Sequence, residues 1–515
     1  MRNTRAWLTG FAVLAVVLAP INSFPQKSAV AKSKHSAENP KSTSKSVTSD
    51  AEQRTTKYLD SIRKDPLLLR QFLYKFPKGG DLHNHLSGAI YAESYIQWAA
   101  ESGFCVNTQT FTLLAVKAPS PDHAPGTPAS DSPCDDAKLQ RPAADALRDP
   151  VFYRHLVDAL SIRNHSAAIE ADEYQFFDTF PKFGLVSRGR TGEMVAEIAH
   201  RAALQNEHYL ELTLSVDAGV AFEVADRMPW LGDDHLAEYR DKLLQNGLRD
   251  AVAKGKARLD SAESIMRTKL GCESAKPDVG CSVTVRYIGE VARAMSRDRV
   301  FAQTLACFEI AQADPRVLAV NFVQPEDWLI PVRDYDLHMR MLDYLHRQYP
   351  KVNITLHAGE LAFGQVMPEV LGTHIPKAID MGHAQRIGHG VDVMYYPAAA
   401  DLLQEMAQKH IAVEIALTSN DLILGVRGAA HPFMQYMKAG VPLVIATDDE
   451  GVSRSDVTHE YQRAAETYGL SYADLKRLSR NSLEYSFLPA SEKAREQSRL
   501  EQEFAVFERE HSGTH

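Results

Sequence analysis

Three short stretches of this chain carry side chains that could hold a metal ion and move protons beside it. His83 and His85 flank Asn84, Glu360 closes the tetrapeptide His357-Ala358-Gly359-Glu360, and Asp448 and Asp449 stand side by side. Together they offer three imidazoles and a carboxylate for a divalent ion, with spare acid and base groups next to it. A hydrolase uses such an inventory to make water a nucleophile at neutral pH. Alternation along a strand puts both imidazoles of His83 and His85 on one side, where they are costly to bury without a cation. Adjacent carboxylates at Asp448 and Asp449 repel, and a cation or a donor-rich ligand relieves them, the plainer reading being a polar turn. A fourth histidine, His389, lies between Gly388 and Gly390, residues that permit close approach of the backbone to another group. Taken singly, His357 reads as a core histidine, His389 as a turn and Glu360 as a helix N-terminal carboxylate. What sets them apart is that each ends an apolar, strand-like run.

Those runs give the architecture. β-type segments are expected at Gly80–His85, His208–Ser215, Ser282–Ile288, Leu318–Val323, Val352–His357, Arg386–His389, Ile411–Leu417 and Leu443–Thr447. Amphipathic stretches such as Thr191–Gln205, Tyr335–Arg347 and Tyr396–Lys409 alternate with them. Eight strands with intervening helices predict an α/β fold, a (β/α)8 TIM barrel. A doubly wound sheet would collect its site from strands flanking a switch point. Here the polar groups cap strands one, five, six and eight, which only a closed barrel gathers round one axis.

The domain reading follows. Residues 1–31 read as a signal peptide: Arg2 and Arg5 precede an apolar run from Ala6 to Ala19, too short for a bilayer span, and Ala29-Val30-Ala31 offers a cleavage site. Residues 32–50 are Ser/Lys/Thr-rich and read as a disordered linker. A helical leader at 51–76 precedes a barrel at 77–490, interrupted by a Pro/Ser-rich insertion at about 103–150, with a C-terminal helix or tail at 491–515. The expected destination is secreted or periplasmic, with no stable membrane anchor once the signal is cleaved. The chain carries a net charge of -9, which opposes broad nucleic-acid binding. Five cysteines fit an oxidising compartment. Cys105 and Cys134 bracket the insertion and Cys272 and Cys281 a short loop, so both pairs are candidate disulfides, while Cys307 reads as a buried thiol. The oligomeric state is left open, a homodimer included.

The motifs resemble those of the adenosine deaminase family of the amidohydrolase superfamily. The likeness rests on Pro77-Lys78-Gly79-Gly80-Asp81-Leu82-His83-Asn84-His85-Leu86, His357-Ala358-Gly359-Glu360, Arg386-Ile387-Gly388-His389-Gly390 and Thr447-Asp448-Asp449. The leader and the insertion resemble the secreted, growth-factor-type subgroup. The resemblance implies that His83, His85, His357 and Asp448 bind one Zn2+ per chain. Strand four ends Asn321-Phe322-Val323-Gln324, without the lysine that bridges two metals in many amidohydrolases. It implies that His389 orients the attacking water and assists its deprotonation, that Asp449 hydrogen-bonds the hydroxide or purine N7, and that Glu360 protonates N1. The implied reaction is deamination of adenosine or 2′-deoxyadenosine, with a purine nucleoside as the small-molecule partner. Two positions depart from the family pattern. Ser87 stands where an acid commonly meets the ribose 5′-hydroxyl, and Gln324 stands where a glycine N–H commonly meets purine N3. Both are therefore candidate substrate-binding residues. Another aminopurine (adenine or a modified nucleoside) is the rival substrate, and a non-catalytic binding or signalling protein on the same scaffold is the rival class. Ser419 and Asn420 also resemble a Ser-Asn pair of deaminase relatives, with the alternative that they only satisfy the loop backbone.

Overall fold

The computed structural model describes residues 50–115, 134–136, 138–164 and 172–511. The expected signal segment, nearly all of the expected linker and the middle of the insertion lie outside the described residues. No helix among the described residues is long and apolar enough to cross a membrane.

Eight parallel strands run in chain order: β1 Gly79–His85, β2 Glu207–Leu214, β3 Thr284–Ala292, β4 Val317–Val323, β5 Asn353–Ala358, β6 Arg386–His389, β7 Ala412–Ile415 and β8 Leu443–Ile445. Each pairs with its neighbour in sequence. The last meets the first just beyond their paired segments. Asp448 N–H donates to His83 O and His85 N–H to Asp448 O, both at 2.9 Å. Asp81 reinforces that seam by accepting from the Thr447 hydroxyl at 2.5 Å and the Thr447 N–H at 3.2 Å. The sheet is thus closed into the expected (β/α)8 barrel.

The central strands read as expected for parallel strands covered on both faces: every residue of β2 and β4 is buried. Strand ends differ from the sequence reading where the chain turns early. β7 stops at Ile415 because Leu417–Leu424 is already helix, and β3 runs on to Ala292. The helix Arg297–Ala313 is buried almost all round. It lies between the barrel and an outer helix, Asp250–Lys269, that the sequence reading did not single out.

Two excursions leave the barrel. The first holds a three-stranded antiparallel sheet (Cys105–Asn107, Leu113–Leu114, Gln140–Pro142) and the Cys105–Cys134 disulfide. Asp149 caps a helix at Pro150–Ala159, and a second helix, Glu173–Ser187, follows before the chain rejoins the β/α pattern. The second excursion lies between β2 and β3 and is tied by Cys272–Cys281. Cys307 is a buried free thiol.

The opposite end of the barrel is covered by the leader helices and the final helix. The leader forms two helices, Asp50–Ile62 and Pro66–Lys75, the second capped by the Asp65 carboxylate. Lys78, fully buried, donates its ammonium to the carbonyls of Leu73 (2.6 Å), Phe76 (3.0 Å) and Gln205 (2.6 Å). It thereby satisfies a helix C-terminus. The final helix, Ala490–His511, packs Phe504 and Phe507 against Phe72 and Phe76, with ring centroids 5.0 Å apart for Phe72–Phe507 and 5.4 Å for Phe76–Phe504.

Candidate metal and catalytic site

At the C-terminal ends of the strands, four potential ligand atoms converge. His83 Nε2 and His85 Nε2 each lie 3.1 Å from His357 Nε2 and 3.3 Å from one another. Asp448 Oδ1 is 3.3 Å from the first and 3.2 Å from the second. A tetrahedron with zinc–nitrogen arms of about 2.0–2.1 Å has edges of about 3.3–3.4 Å, so the spacing suits one small divalent ion.

The surroundings decide which nitrogens are available. His83 Nδ1–H donates to Glu414 Oε2 at 2.7 Å, and His357 Nδ1–H donates to Asn321 Oδ1 at 3.0 Å. With those protons on Nδ1, the Nε2 lone pairs of both rings face the same point. Ligand histidines are commonly oriented in this way by an acceptor on the far nitrogen. Burial alone would raise the Glu414 pKa, but the Arg386 charge and the His83 hydrogen bond outweigh it and hold the carboxyl at about 2. Arg386 is itself buried between Glu414 and Glu211, at 2.6 Å from each. Burial, with the neighbouring imidazoles next, pushes His357 well below the usual histidine range, keeping its ring neutral. Asp448 is held well below the carboxylate range, burial being outweighed by His83 and His85, and its Oδ2 accepts from Ser419 at 2.6 Å. Lone pairs aimed inward and an ionised carboxylate at these distances make a donor set that fits a zinc ion.

Glu360 follows on the loop above β5. Its backbone is clamped by Glu326, whose two carboxylate oxygens accept from Gly359 N–H (3.1 Å) and Glu360 N–H (2.8 Å). Burial, then the Asp448 carboxylate, pushes the Glu360 pKa well above the usual range, so the group holds a proton. Asp449 is shifted the same way for the same two reasons. His389 ends β6 with its ring centroid 5.0 Å from that of His83. Burial drives its pKa down to about 3. Three buried polar atoms around this point have no hydrogen-bond partner in the protein: Glu360 Oε1, His389 Nε2 and Asp449 Oδ1. Gathered at one point, these three atoms are available to a bound ligand.

Backbone strain gathers here too. His389 (φ 68°), Asp448 (φ 59°) and Gln324 (φ 81°) adopt the left-handed conformation without being glycine. Gly388 is required by contact: a Cβ there would lie 2.7 Å from His83 Cε1.

The cluster forms the floor of a cavity of about 310 Å³. That is at the low end of the range, about 300–1,000 Å³, of small-molecule sites. Its walls include Ser87, Gln324 and Trp328, with Phe176, Phe177 and Phe180 from the helix Glu173–Ser187. Gln324 turns its side chain aside, accepting from Ala294 N–H at 2.9 Å. The structure therefore gathers His83, His85, His357 and Asp448 at one point, with Glu360, His389 and Asp449 beside them and Ser87 and Gln324 in the wall. Ser419 and Asn420 hold Asp448 and His389 rather than loop backbone. Sequence reasoning missed Glu414, Glu326 and the aromatic wall. An acid inside the apolar run Ile411–Leu417 was the available signal for Glu414.

Residues 249–503 match the Adenosine deaminase family. An adenosine deaminase of Shewanella loihica is 38% identical over 141 residues, which span 27% of this chain and 39% of that one. Among solved structures, adenine deaminase from Arthrobacter aurescens aligns with a TM-score of 0.51 at 17% identity, covering 83% of this chain and 98% of its own. A Burkhoderia ambifaria amidohydrolase with bound Zn aligns with a TM-score of 0.53 at 16% identity, covering 86% and 95%. At such identities the structural likeness speaks for the fold. The chain thus carries an Adenosine deaminase family domain over residues 249–503, and it spans 39% of the length of the Shewanella loihica relative.

Proposed function

We propose that this protein is a zinc-dependent hydrolytic deaminase of adenosine and 2′-deoxyadenosine. The observation that carries the reading is the convergence of three imidazole Nε2 atoms and the Asp448 carboxylate beside a protonated Glu360. A zinc ion held by His83, His85, His357 and Asp448 would supply the Lewis acidity that brings the pKa of a water toward about 7. Glu360 gives its proton to purine N1, which removes the aromatic resistance of the ring to attack at C6. The water oxygen bonds to C6, its proton passes to a neighbouring protein group, and the C6–N bond breaks. The second proton of the water reaches the amino nitrogen, so ammonia leaves and C6 keeps the oxygen as a carbonyl. Asp449 hydrogen-bonds the water or purine N7, and His389 orients the water.

A second reading, another aminopurine as substrate, is favoured by the cavity wall. Ser87 offers a neutral hydroxyl where a ribose-binding acid would stand, and Phe176, Phe177, Phe180 and Trp328 present apolar surface. The experiment is to load the purified protein with zinc, measure metal content, and follow ammonia release from adenosine, 2′-deoxyadenosine, adenine and AMP. Turnover of adenosine and its deoxy analogue above the others supports the first reading, and preference for adenine the second. Stoichiometric zinc with no turnover of any of them would mark a binding protein. We further propose export to an oxidising compartment, on the strength of the signal-like residues 1–31 and two disulfides. The growth-factor-type subgroup belongs to the same proposal. N-terminal sequencing of the mature chain tests the cleavage site.

A further inference from the structure

A chain of hydrogen bonds behind His389 can run in one direction only. It starts at the backbone N–H of Phe433, a group that can donate but never accept. That N–H lies 3.2 Å from His431 Nδ1, which must therefore be the accepting nitrogen. A neutral imidazole has one donor and one acceptor, so the His431 proton sits on Nε2. His431 Nε2 lies 3.2 Å from Asn420 Oδ1 and donates to it. This fixes the amide of Asn420, whose Nδ2 then donates to His389 Nδ1 at 2.9 Å. His389 Nδ1 can carry no proton against that donor. Glu360 Oε1 lies 3.4 Å from the same nitrogen and makes no hydrogen bond to it. His431, Asn420 and His389 are all buried to within 1% of complete. Solvent is therefore poorly placed to supply an alternative partner.

We propose that His431 and Asn420 are positioning residues that lock His389 in the Nε2–H tautomer, so that His389 meets the attacking water as a hydrogen-bond donor and not as a base. The buried, unpartnered Nε2 is then the donor that orients the water oxygen. The proton released by the water goes to the Glu360 carboxylate, left free once its own proton has passed to N1, and not to this imidazole. This refines the two roles that the family resemblance assigns to His389, keeping orientation and removing deprotonation. It rests on the deaminase reading for the identity of the reaction, while the tautomer itself does not.

The test is long-range 1H–15N correlation spectroscopy on the 15N-histidine-labelled full chain, apo and zinc-loaded, with His389 assigned from the peaks lost in His389→Gln. The expected result is an unprotonated Nδ1 and a protonated Nε2. A protonated Nδ1 in the wild-type protein overturns the proposal. In Asn420→Asp, a carboxylate accepts from Nδ1–H, so the tautomer should invert, with kcat falling by about 10²-fold and KM little changed. His431→Leu should mix the tautomers and lower kcat, while His431→Gln, which retains a donor for Asn420, should rescue both. Full activity in Asn420→Asp with an inverted tautomer would overturn the donor role. If no aminopurine is turned over but the Nε2–H tautomer is present, the deaminase reading fails and the lock stands. Should His431→Leu not fold, the wild-type spectrum and Asn420→Asp decide.

Discussion

At the scale of single residues, the site separates metal holding from proton delivery. His357 contributes an Nε2 to the cluster and has its Nδ1 committed to Asn321. Replacing it leaves three ligands and an uncompensated Asp448. His357→Ala is expected to lose both metal and turnover, measured as zinc per chain and ammonia released. Glu360 stands outside the group formed by His83, His85, His357 and Asp448, and its backbone is held by Glu326 whatever its side chain. Glu360→Gln is therefore expected to keep its zinc and lose about 10²–10⁴-fold in kcat, the usual worth of a positioned general acid. Loss of zinc in Glu360→Gln would show that the two tasks are not separable.

At the scale of elements, the helices that wrap the barrel carry a pH liability. His338, in the helix Leu329–Gln348, packs edge-on against Phe322 of β4 with ring centroids 5.7 Å apart, and neither ring nitrogen has a hydrogen-bond partner. Burial lowers its pKa from 6.5 to about 4. The folded state therefore binds this proton less readily than the unfolded chain. Stability from this group is complete above pH 6.5 and is lost as pH falls through that value toward 4. A shift of this size is worth about 3 kcal/mol. His338→Leu is expected to flatten the acid limb of a plot of urea unfolding free energy against pH between 7 and 4.5. Equal slopes for the two proteins would refute the assignment. The same element level shows what the sequence could and could not disclose. The apolar runs of β2 and β4 were legible because burial on both faces leaves no polar position. The end of β7 was not, since Ala416-Leu417-Thr418 suits a strand or a helix equally, and the turn into the Asp448-holding helix is set by tertiary contact.

At the scale of the whole molecule, the two ends of the barrel have separate work. One end holds the site, and the other is closed by the leader and final helices through Phe72, Phe76, Phe504 and Phe507. Phe507→Ala should cost about 3–5 kcal/mol by leaving a cavity in that cluster. Zinc content should be unchanged, because the substitution lies across the barrel from the ligands. Urea titration and metal analysis of one preparation check both, and a parallel loss of zinc would contradict the separation.

Local patterns in the chain specify the barrel and the identity of its polar strand ends. Strand periodicity and the run of His83, His85, His357, Glu360, His389, Asp448 and Asp449 are local patterns, readable without coordinates. Tertiary structure alone decided what stands behind each of them: Glu414 under His83, Asn321 under His357, Glu326 beneath Glu360, and the line from Phe433 through His431 and Asn420 to His389. It also decided that the helix Glu173–Ser187, remote in sequence, would wall the cavity with aromatic rings. The reason is that a hydrogen bond depends on distance and direction between atoms far apart in the chain. No residue's neighbours in sequence record either.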